Sequence, residues 1–247
     1  HDWYLSTNLN SNKNLDGHLL PGLQPNGVPR ALTGTTLPFD YNNIEQLESL
    51  IKNNHGEIAA IKMEVSRNQG PENEFLQKVR DLATENNIVL IFDECTSGFR
   101  EAFGGLHKKY KVNPDLAVFS KALGNGYAIA AIVCKKEIIQ AAQKTFISST
   151  FWTERIGPTA AVATLKVMER VKSWETITNT GLEIKNRWQQ LADDHQLSIN
   201  HWGIPALTGY SFNSGNNMAY KTYITQEMLK KGYLAANSIY VSIAHTP

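Results

Sequence analysis

Two ionisable residues stand where apolar runs stop. Ile88-Val-Leu-Ile-Phe92 leads into Asp93 and Glu94, and Asp115-Leu-Ala-Val-Phe-Ser120 leads into Lys121, which opens the turn Lys121-Ala-Leu-Gly-Asn-Gly126. Short apolar runs bounded by polar and turn residues read as buried strands. In an open α/β sheet the C-terminal strand ends line the ligand crevice, so Asp93 and Lys121 can face one bound molecule from two sides.

An acid and an amine so placed suit a pyridine aldehyde, pyridoxal 5'-phosphate. A lysine amine that loses its proton readily attacks an aldehyde to form a Schiff base. A carboxylate beside the ring nitrogen keeps that nitrogen protonated, and the ring then withdraws electrons well. At roughly 4 Å and an effective dielectric of ~20, the gross attraction is about 4 kcal/mol before desolvation is subtracted. Lys121 alone reads as a solvated surface residue and Asp93 alone as a helix cap or ion-pair partner. Their order and flanking residues taken together favour the cofactor reading.

The motifs around both residues resemble those of the class III pyridoxal-phosphate aminotransferases, which include glutamate-1-semialdehyde aminomutase. Asp93-Glu-Cys-Thr-Ser-Gly-Phe-Arg100 is similar to the family's Asp-Glu-Val-x-Thr-Gly-Phe-Arg segment, whose first acid holds the pyridine nitrogen. Cys95 replaces the usual valine, which packs on the cofactor ring, and a small soft thiol can do the same. Ser120-Lys121-Ala-Leu-Gly-Asn-Gly126 resembles Ser-Lys-x-Leu-Gly-Gly-Gly, where the lysine forms the internal aldimine. Asn125 stands at a usual glycine, and asparagine tolerates positive φ better than other side chains.

Ser148-Ser-Thr-Phe-Trp152, followed by Gly157-Pro158, is similar to the segment whose threonine donates to the cofactor phosphate, usually from the partner subunit of a dimer. That resemblance assigns the phosphate to Thr150, whose plainer reading is a helix cap. The intervening Thr153-Glu-Arg-Ile156 resembles an aminomutase-like branch met among sugar-modifying aminotransferases. Glu64 ends Ile58-Ala-Ala-Ile61-Lys-Met-Glu64 and resembles a strand that ends in Glu-Pro near the cofactor, although Val65 replaces the proline. A polar strand end paired with a neighbour explains Glu64 equally well.

Composition excludes several other functions. With 24 basic and 23 acidic residues the net charge is +1, which gives no electrostatic case for nucleic acid or an anionic membrane. No apolar stretch approaches the roughly 20 residues of a membrane helix, and no secretory leader pattern is present. The seven histidines do not fall at metal-site spacings, so no metal is expected. Two cysteines, Cys95 and Cys134, make no disulfide framework, and a cytoplasmic protein is expected. Gly124-Asn-Gly126 lacks the third glycine of a dinucleotide fingerprint, and no nucleophile elbow or Walker loop occurs.

The polar, proline- and glycine-rich segment Leu20-Pro-Gly-Leu-Gln-Pro-Asn-Gly-Val-Pro29 reads as an ordered irregular loop. A helix is expected from Asn42, with Ile44, Leu47, Leu50 and Ile51 at helical spacing. Apolar strands and polar helices then alternate to Cys134, and Tyr127-Ala-Ile-Ala-Ala-Ile-Val-Cys134 reads as a buried strand. Such alternation predicts an α/β fold with a mostly parallel sheet wrapped by helices. Pro158 suits the first turn of a helix through Ala161, Leu165 and Met168, and a more polar helix carries Trp188 and Leu191. Strands are expected over 206–212 and 239–243, with a helix over 222–231.

The resemblance extends over nearly the whole chain and implies a fold type I large domain over residues 1–172, with part of a small α+β C-terminal domain over 173–247. It implies further that the chain is incomplete. His1-Asp-Trp-Tyr4 matches a stretch just after the ring-stacking aromatic, and Ala244-His-Thr-Pro247 stops inside the small domain. The implied activity is transamination from an amino-acid donor to a keto or aldehyde acceptor, in a homodimer with a shared site. Intramolecular amino transfer of the aminomutase type uses the same core and stays open, as does an inactive relative kept as an assembly partner.

Overall fold

The computed structural model describes residues 2–18 and 21–246. Leu20, at the head of the expected loop, and His1 and Pro247, on which the expected truncation partly rests, lie outside the described residues. The chain divides into two compact units: the first takes the segments up to Ala59 and Glu72–Ile88, and the second takes Ala60–Pro71 and the chain from Val89 onward.

In the first unit, α1 (Asp2–Ser6) precedes a long irregular segment, and residues 21–29 form turns without regular structure, as the proline and glycine content predicts. Helix α2 (Ile44–Asn53) starts where the Asn43 side chain accepts from the Gln46 N–H at 3.0 Å, which satisfies one of the orphan donors of the first turn. Leu47 and Ile51, four residues apart, are its buried stripe. Helix α3 (Phe75–Glu85) buries Phe75, Leu76, Val79 and Ala83, and Tyr41 meets Phe75 edge-on at 5.1 Å between ring centroids.

The second unit holds two sheets. Strands β1 (Ala60–Glu64), β2 (Val89–Asp93), β3 (Leu116–Phe119) and β4 (Ala131–Cys134) lie side by side in that order. β1–β2 and β2–β3 are parallel, and β3–β4 is antiparallel. Burial alternates along the parallel strands: Ile61, Met63, Leu90, Phe92, Ala117 and Phe119 are buried, whereas Lys62, Glu64, Ile91 and Asp93 share the less buried face. Three of four strands are therefore parallel, in keeping with the expected α/β sheet.

The apolar run Tyr127–Cys134 departs from its expected form. Only Ala131–Cys134 is a strand, and Ile132 and Val133 are 62 % and 60 % exposed. The reason is position: β4 ends the order of its sheet and pairs on one side among the described residues, and residues 127–130 run as a bend and irregular backbone after the turn at 124–126. Apolar composition specifies a buried environment only if something covers the residue.

The short helix α4 (His107–Tyr110) lies between β2 and β3, and α5 (Lys136–Ala142) follows β4. Helix α6 (Ile156–Val171) carries Pro158 in its first turn, as expected, and buries Ala161 with Phe99, Ala117, Phe119 and Leu123. Leu165 and Met168 pack on the same cluster. Helix α7 (Ser173–Asp194) precedes an antiparallel sheet of β5 (Ile199–Trp202), β6 (Leu207–Phe212) and β7 (Ser238–Tyr240), with α8 (Asn217–Lys230) between β6 and β7. Ile177 of α7 meets Ala206 and Val241 in a small core, and Trp188 stands edge-on to Tyr210 at 4.9 Å. Gly181 is required there, since a Cβ would fall 2.0 Å from the Pro205 carbonyl oxygen. The last expected strand, 239–243, is shorter than its apolar pattern and ends at Tyr240.

Candidate active site

Parallel pairing brings the two expected strand ends together. Asp93 is the last residue of β2 and stands in register with Val118 of β3, two residues before the strand gives way to Ser120 and Lys121. On the other side Glu64, the last residue of β1, is in register with Asp93. Three adjacent parallel strands thus deliver Glu64, Asp93 and Lys121 to one edge of the sheet.

The Asp93 carboxylate is held at both oxygens. Oδ1 accepts from the Cys95 N–H at 3.1 Å, and Oδ2 pairs with Lys62 Nζ at 2.8 Å. Burial works to raise the carboxyl, but the Lys62 hydrogen bond, the Cys95 N–H and the Cys95 thiol outweigh it, and Asp93 is held below the usual carboxylate range. Cys95 itself is pushed up, first by burial and then by its hydrogen bond to Asp93, so its thiol has little thiolate character.

Glu94, the next residue, points the other way and is fully buried. Its Oε2 accepts from Ser97 Oγ at 2.5 Å and from the Leu106 N–H at 2.9 Å; its Oε1 accepts from the His107 N–H at 2.9 Å and meets His107 Nδ1 at the same distance. Burial is the largest single influence and raises the carboxyl, but these bonds, the His107 ring first, together outweigh it and hold Glu94 below the usual carboxylate range. They close the segment 94–107 onto itself. Gly98 is needed inside it, because a Cβ would lie 2.7 Å from the Glu94 carbonyl oxygen.

Lys121 Nζ donates to Thr96 Oγ1 at 3.1 Å, which ties the turn after β3 to the loop after β2. Lys121 and Asn125 both take positive φ, 44° and 45°. The asparagine is thus accommodated where the family pattern has glycine, and the lysine occupies a backbone conformation that side chains seldom adopt and that recurs at functional sites. A cavity of about 580 Å³ in this unit borders Lys121 and is lined also by Phe99, Arg100, Asn125, Ser173 and Ser242. Burial lowers the Arg100 guanidinium from its ordinary value.

Glu64 accepts from Arg67 Nη1 at 3.4 Å, the partner that its plainer reading requires. Its carboxyl is raised, mainly by burial, with Asp93 adding to the rise and Arg67, Lys62 and Lys121 opposing it. Asp93 and Lys121 thus both act on Glu64, and both act on Cys95. Thr150 is apart from them: it lies in an exposed turn between α5 and α6, with no side-chain hydrogen bond to Asp93, Cys95 or Lys121 among the described residues. Around it Phe146, Phe151 and Trp152 are 96 %, 73 % and 67 % exposed.

Sequence reasoning passed over Lys62, Thr96 and the Glu94–His107 pair as parts of the site. Lys62 carries a usable signal, because residues two apart on a strand share a face and Glu64 was already in view. His107 carries none, since its link to Glu94 spans a loop of irregular backbone. Among the described residues no cluster of histidine, cysteine or acids could hold a metal ion, and no helix is long and apolar enough to cross a membrane.

Comparison with known proteins identifies the family and the fold. Residues 13–241 match the aminotransferase class-III family. The chain is 33 % identical over 207 residues to a 3-aminobutyryl-CoA aminotransferase of Cloacimonas acidaminovorans, covering 81 % of this chain and 50 % of that protein. It is 32 % identical over 233 residues to a glutamate-1-semialdehyde 2,1-aminomutase of Nitrosopumilus maritimus, covering 85 % and 55 %. Among solved structures it shares the fold of FumI from a Sphingopyxis species, with a TM-score of 0.82 at 23 % identity, over 89 % of this chain and 55 % of that one. An omega-transaminase from Sphaerobacter thermophilus gives 0.78 at 21 % identity, over 92 % and 57 %. The chain spans about half the length of the curated relatives it matches. Its motifs, its strand-end geometry and the extent of the match make the chain a member of the class-III aminotransferase family.

Proposed function

We propose that this chain carries the cofactor-binding core of a pyridoxal-phosphate aminotransferase, which moves an amino group from an amino-acid donor to a keto or aldehyde acceptor. The observation that carries the reading is the delivery of Asp93 and Lys121 to one sheet edge by adjacent parallel strands. The residues present suit the cofactor. Asp93 stays ionised yet partly exposed, as a protonated ring nitrogen requires, and the Lys121 amine is tied by Thr96 to the loop that follows Asp93.

In this reading Lys121 would hold the cofactor covalently and Asp93 would hold its ring nitrogen, with Cys95 packing on the ring, Thr150 binding the phosphate and Glu64 bordering the site. When bound, pyridoxal phosphate supplies an electron sink for the carbon next to the amino group. The protein's own part is acid–base work and positioning. Once the amino donor has displaced it from the cofactor, the freed Lys121 amine, beside Thr96, would move the α-proton between carbon centres as base and then acid. Asp93 keeps its negative charge throughout, held by Cys95 and Lys62.

The exposed apolar side chains of Phe146, Phe151 and Trp152 beside Thr150 support a homodimer in which this turn reaches the partner's site. The large domain is proposed to run to residue 172 and the small one from 173, and a cytoplasmic location suits the two free thiols. Relatives named as aminomutases, at 32 % identity in two archaea, support a second reading, intramolecular amino transfer on the same residues.

The deciding experiment incubates the whole protein with pyridoxal phosphate, reduces with borohydride and maps the adduct. A single adduct at Lys121, absent in Lys121→Ala, is expected; labelling elsewhere or none would remove the reading. Asp93→Asn should retain some cofactor and lose most turnover.

A further inference from the structure

We propose that Lys62 is a positioning residue that shares the Asp93 carboxylate with the ring nitrogen of the bound cofactor and so weakens the hold of that acid on it. The inference rests on the cofactor reading above and concerns a residue to which that reading gives no role.

Lys62 and Asp93 lie on neighbouring parallel strands, in the registers Lys62↔Ile91 and Glu64↔Asp93, and both point to the less buried face of the sheet. Lys62 Nζ sits 2.8 Å from Asp93 Oδ2, the oxygen that the Cys95 N–H does not occupy. Each carboxylate oxygen therefore has a partner before a ligand arrives. A protonated ring nitrogen must either displace the ammonium or share the charge with it. In both cases the ammonium costs the ring nitrogen part of the stabilisation that Asp93 alone would give, because one negative charge is divided between two cations.

The surroundings sharpen the effect. The charged and titratable groups that act on Asp93 are Lys62 and Glu64 from β1 and Cys95 after β2, while Arg67 and Lys121 act on Glu64 and Lys121 also on Cys95. Glu64 pairs with Arg67, and Lys62 is bonded directly to Asp93. The Lys62 side chain is 63 % exposed, against 20 % for Asp93, which leaves the ammonium free to swing away and limits its influence through solvent screening.

The test compares wild type, Lys62→Met and Lys62→Arg in the whole protein. In the cofactor-free state, carbon-13 NMR follows the titration of the Asp93 carboxyl, assigned by its loss in Asp93→Asn. Lys62→Met should move that titration upward, and Lys62→Arg should restore it. Pyridoxal phosphate is then titrated by absorbance. Lys62→Met should bind roughly two- to five-fold more tightly, as expected for loss of a screened ion pair, and the gain should vanish in the Asp93→Asn background. An unmoved Asp93 titration overturns the pairing whatever the cofactor does. A moved titration with unchanged or weaker cofactor binding overturns the competition. Failure of the cofactor reading has its own signature, the absence of a borohydride-fixed adduct at Lys121 in wild type, and it overturns the inference as well.

Discussion

Two regions that the sequence marks with family-like motifs differ sharply in how they are held. The edge that carries Asp93 and Lys121 is closed by its own bonds: Glu94 ties Ser97, Leu106 and His107 together, and Thr96 receives Lys121. The turn that carries Thr150 lies in the open, and its aromatic neighbours Phe146, Phe151 and Trp152 stay largely exposed among the described residues. A motif whose polar groups satisfy one another within one chain is preorganised by it. A motif whose apolar groups stay exposed depends for its geometry on whatever covers them.

The largest effect belongs to the closed edge. Lys121→Ala should abolish both the fixed adduct and turnover in the whole enzyme, whereas Thr150→Ala should weaken cofactor binding and leave the adduct site unchanged. Peptide mapping after borohydride separates the two. Equal loss of the adduct in both variants would break the contrast.

Next in size is Glu94. Removing one member of a buried charged cluster leaves its partners unsatisfied, so Glu94→Ala should cost about 3–5 kcal/mol, read by urea unfolding. The pH dependence has a definite sign. Because the folded carboxyl lies below its ordinary value, its contribution is complete above the unfolded carboxylate range and is lost as pH falls through the folded one. Glu94→Gln should therefore flatten the acid limb of the stability curve, while Glu64→Gln, from a carboxyl raised by burial, should change it in the opposite direction.

A smaller effect is expected at the open turn. Trp152→Ser should shift the protein toward monomer in sedimentation and leave monomer stability within about ±0.5 kcal/mol, the range of surface substitutions away from special features. A large loss of stability in the monomer would mean that the residue is part of this chain's own core. Least of all should change at Asn125. It already takes positive φ, so Asn125→Gly should be neutral to within about 0.5 kcal/mol and Asn125→Val destabilising, because a β-branched side chain resists that backbone.

The parallel sheet was legible because β2 and β3 are short apolar runs with polar stops, a pattern that local sequence carries in full. Helix α2 was legible for the same reason, with Asn43 as its cap and Leu47 and Ile51 on one face. The run Tyr127–Cys134 misled, since eight apolar residues describe what a segment tolerates and not what lies against it. At the site, Asp93 and Lys121 could be singled out by type and by their place after apolar runs, and Cys95 and Glu64 through the resemblance of their segments to the family's motifs. Lys62 could not be joined to Asp93, because that pairing depends on the register of β1 against β2.

The sequence by itself determined which residues can do chemistry here and which strands carry them, because residue type and period-two patterning are local properties. Tertiary structure alone decided what those residues meet: the ammonium of Lys62 on Asp93, the His107 ring on Glu94 and the hydroxyl of Thr96 on Lys121. Those contacts join segments whose distance and orientation are set by strand register and loop closure, and neither is written in any single stretch of chain.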